Sequence, residues 1–185
     1  IKVEETGRGD FCRHDEPVMQ GESYYFTALA RNKKSLSVNL KSREGKEIFH
    51  KLAAKSDIIL ESFRPGVTTR LGIDYEQIKA VKPDIIYCSL SGYGQSNPNS
   101  LKALHDINMQ AQSGYLSLSG GKTSPLHLCD LASGMVASQA MLAALYQRSV
   151  SGKGNYIDIS MFDSFVWWNS MLDSRYYFYG GSLEA

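Results

Sequence analysis

Short apolar runs alternate along the chain with segments whose apolar residues recur at helical spacing. "LSVNL" (36–40) is short, apolar and partly alternating, and predicts a strand. Ser42 follows as a helix cap, with Glu44 in the first turn near the positive end of the helix dipole. Ile48, Phe49, Leu52 and Ala53 then form an apolar stripe at i, i+1, i+4, i+5. "DIILES" (57–62) and "IIYCSL" (85–90) are near-continuous apolar runs, as in parallel strands buried on both faces. Between them "RPGV" breaks the first run, and Asp74 starts a short helix, "DYEQIKAV", that Pro83 closes. "SGYGQSNPNS" (91–100) reads as a loop.

The same alternation continues in the second half. Asp130 is expected to cap the longest helix, about 131–149, in which Ala132, Gly134, Ala137, Ala140 and Ala143 would allow close packing on a sheet. "SGKGN" is a turn, "YIDISM" (156–161) alternates like a half-buried strand, and "FDSFVWWNSMLDSRYYFY" (162–179) reads as an aromatic helix. Strands and helices in turn predict an α/β fold, a mainly parallel sheet flanked by helices, as one domain over residues 1–185. The first residues already lie in a strand-like run and lack a Met, so the chain is expected to be an incomplete piece of a longer protein.

Composition narrows the function classes. A chain of 185 residues can bury a core, and 43% hydrophobic with 21% charged residues is an ordinary soluble balance. A net charge of +1 gives no pull toward nucleic acid or an anionic membrane. No apolar run is expected to approach the ~20 residues that span a bilayer. Cys12, Cys88 and Cys129 are odd in number and widely spaced, which suits neither a disulfide framework nor zinc. His14, His50, His105 and His127 lack metal-ligand spacing. The expectation is a cytoplasmic protein without metal, membrane or nucleic-acid partner.

Three features bear on chemistry. Asp130 at a helix start is a good cap, and the same position favours an ionised carboxylate available as nucleophile or base. His105 beside Asp106 is either a local hydrogen-bonding group or a proton carrier, since imidazole titrates near neutrality; Asp106 is expected to cap a helix starting near Ile107. "SGYG" after a buried strand would let a ligand approach the backbone at a sheet edge, although it is not a dinucleotide fingerprint or a P-loop. Lys33, Lys34, Lys41, Arg64 and Arg70 lie near strand ends, where they either meet phosphates or face water.

In order along the chain, "IKVE", "RNKKSLSVNLKSREGKEIF", "ESFRPGVTTRLGID", "IIYCSLSGYGQ" and "SGKGNYIDISMFDS" resemble the successive motifs of the class III CoA-transferase superfamily. That group includes formyl-CoA and carnitine CoA-transferases, bile-acid-inducible protein F and α-methylacyl-CoA racemase. The resemblance implies a Rossmann-like large domain and an acyl-CoA thioester substrate, with CoA a substrate moiety and no further cofactor. It places CoA contacts on Val38, Asn39, Leu40 and Lys41, on Ser62, Phe63 and Arg64, on Arg70, and on Ser91, Gly92, Tyr93 and Gly94, with Lys41 and Arg70 toward phosphate. Glu5 stands where many members carry an Arg, which weakens the expected grip there.

Asp130 falls on the transferases' catalytic aspartate, which attacks the thioester to give an acyl-aspartyl anhydride and CoA thiolate. His105, in "HDIN", resembles the racemase histidine that works with this aspartate across the substrate α-carbon; Leu104 replaces the Gly common before it. On that pair the expected reaction is racemisation of a 2-methylacyl-CoA by His105 and Asp130. CoA transfer to a free carboxylic acid is the alternative, and a non-catalytic CoA-binding fragment a third reading. The resemblance further implies an interlocked homodimer at full length and a second, smaller domain outside these residues. The isolated segment would then be inactive or nearly so.

Overall fold

The computed structural model describes residues 1–181. In chain order, β1 (Lys2–Glu4) leads through a 3-10 turn (Phe11–His14) to β2 (Val18–Met19), β3 (Glu22–Ser23) and α1 (Tyr24–Ala30). Then come β4 (Ser35–Ser37), α2 (Arg43–Ala53), β5 (Ile58–Glu61), α3 (Val67–Leu71), α4 (Tyr75–Val81) and β6 (Ile86–Ser91). The remainder is α5 (Asp106–Gln112), α6 (Tyr115–Leu118), α7 (Leu128–Ser151), β7 (Asn155–Ser160) and α8 (Met161–Phe178).

The α/β expectation holds, with the sheet divided. β1 pairs in parallel with β4, while β5, β6 and β7 form a separate parallel ladder with β6 in the middle. Among the described residues no ladder bonds join the two. The antiparallel hairpin β2–β3 was not foreseen, because strands of two residues carry no periodicity. Its turn has positive φ at both Gln20 and Gly21, as a two-residue hairpin with the right twist requires.

β6 is the spine. Its Ile86, Tyr87 and Cys88 are almost wholly buried, and burying each large side chain contributes roughly 1.5–3 kcal/mol. On one face Ile85 and Tyr87 pack with Phe49, Ala53, Ile73 and Ile78 beneath α2 and α4. On the other, Cys88 meets Ile159 and Ala137 beneath α7. Tyr87 gives its hydroxyl proton to the Ile73 carbonyl at 2.9 Å, so the buried phenol is satisfied. Asp74 and Gln77 cap α4 reciprocally, as "DYEQ" suggests. In α2, Phe49 and Ala53 are buried but Ile48 is 46% exposed, so the apolar stripe is narrower than its sequence.

Two boundaries moved for physical reasons. The strand expected over 36–40 ends at Ser37, because the chain turns at Asn39: a Cβ on Gly45 would lie 1.9 Å from the Asn39 carbonyl oxygen. α7 begins at Leu128, which puts Asp130 inside its first turn; the N-cap position is His127. Asp130 is therefore not the cap. Of the small residues on α7, Ala132 and Ala137 are buried, whereas Gly134 and Ala143 face outward and Ala144 packs instead. By length and composition α7 is also apolar enough to cross a bilayer, contrary to the expectation from the sequence. Its charges, Asp130 and Arg148, sit near its two ends. The "SGKGN" turn after it has a steric basis. Gly152 caps α7 at φ 70°, and a Cβ on Gly154 would stand 2.1 Å from the Ile85 carbonyl oxygen.

The N-terminal segment is tied down by one buried acid. Glu4 accepts from Arg13 Nε at 2.7 Å and Nη2 at 2.9 Å, from the Asp10 amide at 2.9 Å and from the Ser35 hydroxyl at 2.7 Å. Arg13 in turn lies 3.8 Å over the Phe26 ring. This joins β1, β4, the 3-10 turn and α1. The Arg13 guanidinium is the main reason the Glu4 carboxyl is pulled down to about 2.

Candidate functional site

The C-terminal ends of β5 and β6 and the N-terminal ends of α5 and α7 converge on one cavity of about 620 Å³. Clefts outside the carboxyl ends of parallel strands are where such sheets bind ligands. Glu61, Ser62, Phe63 and Arg64 enter it from β5 and the loop after it, and Ser91 and Gly92 from the end of β6. Ser100, Lys102 and His105 come from the following loop, and Asp130 and Ser133 from α7. A Cβ on Gly92 would stand 3.0 Å from Leu104 Cδ1, a contact the leucine tip would have to relieve.

Asp106 organises this junction. It is the first residue of α5 and is buried, and it does not cap its own helix. Its Oδ1 accepts from the Cys129 amide at 2.6 Å and the Asp130 amide at 3.3 Å; its Oδ2 accepts from Gln110 Nε2 at 2.5 Å. Gln110 Oε1 accepts in turn from the Ser124 amide at 3.0 Å. A carboxylate from α5 thus supplies the acceptor that the first turn of α7 lacks. Asp130 is left with its side chain 52% exposed and free of that duty. Burial first, and the Asp106 carboxylate second, push the Asp130 carboxyl above its ordinary range; His127 and His105 pull it back.

His105 occupies the N-cap position of α5, where its amide donates to Asn108 Oδ1 at 3.1 Å. Its ring is exposed and faces the same cavity as Asp130. A second cavity, of about 570 Å³, lies against the same pair: His105 and Asp130 line both. Its other walls include Tyr25, Leu29, Thr123 and His127. Oxygen and nitrogen atoms of Asp106, His127 and Asp130 lie within 4.8 Å of one another, a spacing that suits a cation. Both Asp106 oxygens are already taken by N–H donors, so the three do not form a free ligand set.

The structure brings together Asp130, His105, Ser62, Phe63, Arg64, Ser91 and Gly92. It separates the other residues named from the sequence. Tyr93 and Gly94 line a different cavity of about 640 Å³, next to Asp158. Tyr93 is buried there, its hydroxyl bonded to Gln112 Oε1, and Asp158 accepts from the Gln95 amide at 2.9 Å. Val38 is a core residue and Leu40 packs on the Phe49 cluster, so neither side chain is free for a ligand. Asn39, Lys41 and Arg70 are exposed but do not line the Asp130 cavity.

Several lining residues escaped the sequence reading. Glu61 has its carboxyl raised by burial and accepts from the Phe63 amide at 2.8 Å. Lys102 sits three positions before His105, and His127 three before Asp130. The latter spacing places two side chains on one helical face and would have flagged the pair, had the helix been started early enough.

The model of CoA-transferase family III matches residues 1–182. Succinyl-CoA:glutarate CoA-transferase of Mus musculus is 40% identical over 172 residues, covering 90% of this chain and 39% of that protein. Acetyl-CoA:oxalate CoA-transferase of Acetobacter aceti is 38% identical over 169 residues, covering 88% of this chain and 43% of that protein. A CaiB/BaiF family protein from Brucella suis superposes with a TM-score of 0.91 at 30% identity, over 97% of this chain and 50% of that one. The chain therefore spans 39–43% of the length of these curated relatives and 50% of that solved neighbour.

Proposed function

The chain belongs to CoA-transferase family III, and from that premise we propose that its full-length protein moves CoA from an acyl-CoA thioester to a free carboxylic acid through Asp130. One observation carries the reading. A half-exposed carboxylate, its helix turn already capped by another acid, opens onto the cavity walled by Ser62–Arg64 and Ser91–Gly92.

The expectation that His105 and Asp130 racemise an α-carbon gives way here. The relatives reported above are named CoA-transferases. In the transfer reading His105 is a neighbour that favours the ionised form of Asp130.

The chemistry balances without redox partner or net proton transfer. An Asp130 oxygen attacks the thioester carbonyl, the C–S bond breaks, and thiolate leaves with its electron pair, giving a mixed anhydride. Thiolate then attacks the Asp130 carbonyl and expels the donor's carboxylate, leaving an aspartyl thioester. The acceptor's carboxylate attacks the same carbonyl and displaces thiolate, and thiolate finally takes the acceptor's acyl group and restores Asp130.

The test uses the full-length protein in D₂O with a chiral 2-methylacyl-CoA, labelled CoA donors and free acids. CoA exchange without deuterium at the α-carbon is the expected result. Deuterium uptake without exchange would return the protein to racemisation.

A further inference from the structure

Asp130 has a neighbour that the transfer steps leave without a task. His127 Nδ1 lies 4.0 Å from Asp130 Oδ2, and the histidine side chain is 55% exposed. The Tyr25 ring meets it edge-on, 5.8 Å between centroids. His127 faces the cavity of about 570 Å³ and does not line the one formed by Ser62–Arg64 and Ser91. Asp130 and His105 thus stand between two chambers, with His127 in only one. Resting on the CoA-transfer reading, we propose that this second chamber holds the free carboxylic acid and that His127 binds its carboxylate.

Charge conservation at the site is the reason. In the free enzyme the carboxylate beside His127 is Asp130 itself. Once Asp130 is an anhydride or a thioester, that charge is gone, and the His127 imidazole faces a neutral acyl group. An arriving acid puts a carboxylate back in the same place, within reach of the Asp130 carbonyl carbon it must attack. The departing acid leaves from there in the reverse sense. One imidazole N–H therefore serves whichever carboxylate is free at each stage, and N–H donation to an ionised acid is among the stronger hydrogen bonds. Thiolate, on the other side of Asp130, is kept apart from the competing anion.

The same chamber limits the acid. Asp15 and Glu16 line it, as do the engaged Asp106 and the imidazole of His105. A second carboxylate on the ligand would meet Asp15 and Glu16, whereas an uncharged tail would meet Tyr25 and Leu29. That lining favours an acid with an uncharged tail over the dicarboxylic acids in the relatives' names.

The test is initial-rate kinetics on the full-length protein, with acetyl-, propionyl- or succinyl-CoA as donor and butyrate or glutarate as acceptor. His127→Gln should raise the KM for butyrate roughly tenfold or more while the donor KM stays within about twofold. His127→Lys, which supplies a cationic N–H donor, should recover most of the loss. Among the described hydrogen bonds the His127 side chain makes no capping bond, so the variants should melt cooperatively near the wild type. An unchanged butyrate KM in His127→Gln, an equal rise in both constants, or no recovery in His127→Lys would overturn the role of His127. A wild type that prefers glutarate would overturn the assignment of the tail. A wild type that neither transfers CoA nor forms a covalent adduct on Asp130 would remove the parent reading as well, an outcome distinct from normal transfer with an indifferent His127.

Discussion

Glu4 and Asp106 are both buried carboxylates with their hydrogen bonds satisfied, yet their company differs. Glu4 takes two of its four bonds from a guanidinium and lies with its carboxyl at about 2. Asp106 takes its bonds from two backbone amides and the Gln110 side chain, with no cation among them. The first acid has its charge cancelled where it stands and serves as a tie between chain segments. The field of the second is not cancelled, and it reaches Asp130, whose carboxyl it helps to raise. Equal burial thus gives a structural lock in one place and a tuned neighbour in the other, according to whether the partner carries a full charge.

Replacing the tuned group should have the largest effect. Asp130→Asn is expected to cost on the order of 10³-fold or more in CoA transfer by the full-length protein. Its circular dichroism and melting should stay near the wild type, because Asp106 caps the turn. A folded Asn variant with normal turnover would end the assignment. Next, Asp106→Ala leaves two amides and an amide side chain without an acceptor, which should lower stability by about 1–3 kcal/mol in urea titration. A loss no larger than that of an exposed acid would mean that Asp106 holds nothing.

The lock is tested by pH. The folded Glu4 carboxyl, at about 2, lies below the ordinary value near ~4.3, so its contribution is complete above that ordinary value and fades as pH falls toward 2. Glu4→Gln should be less stable than the wild type at neutral pH and flatter across that acid window; parallel curves would show that the tie is not where the acid sensitivity lies. The smallest effect should come from Asp106→Asn, which keeps an oxygen for the α7 amides and removes the charge. In the proposed transfer Asp130 attacks as the carboxylate, so activity should fall as pH drops through its raised value. Without Asp106's charge that acid limb should move to lower pH, and a limb that stays in place would break the proposed coupling.

The contrast also separates what was legible in the sequence. β5, β6 and the aromatic helix α8 follow from runs and periodicity, and α4 from its capping pair, because each is specified by neighbours in the chain. Asp130 and His105 stood out by residue type and by motif resemblance. Their meeting was not local: it depends on α5 docking against the first turn of α7. For the same reason Asp130 was misread as a cap, since the true acceptor comes from another helix. Glu4 was hidden in a strand-like run, and its partner Arg13 lies in a turn without pattern. Racemisation was read from the resemblance of "HDIN" to a motif, whereas the relatives that match the chain are named CoA-transferases.

The Asp106 bonds have a consequence for amide exchange. The first N–H groups of a helix ordinarily lack an intrahelical partner and trade their protons with water readily. In α7 two of them, on Cys129 and Asp130, end on a buried carboxylate from α5. Their deuterium uptake should then be slow for as long as the two helices stay docked and should accelerate when they part. Those two amides report the opening of the junction around Asp130 directly, with neither substrate nor turnover required.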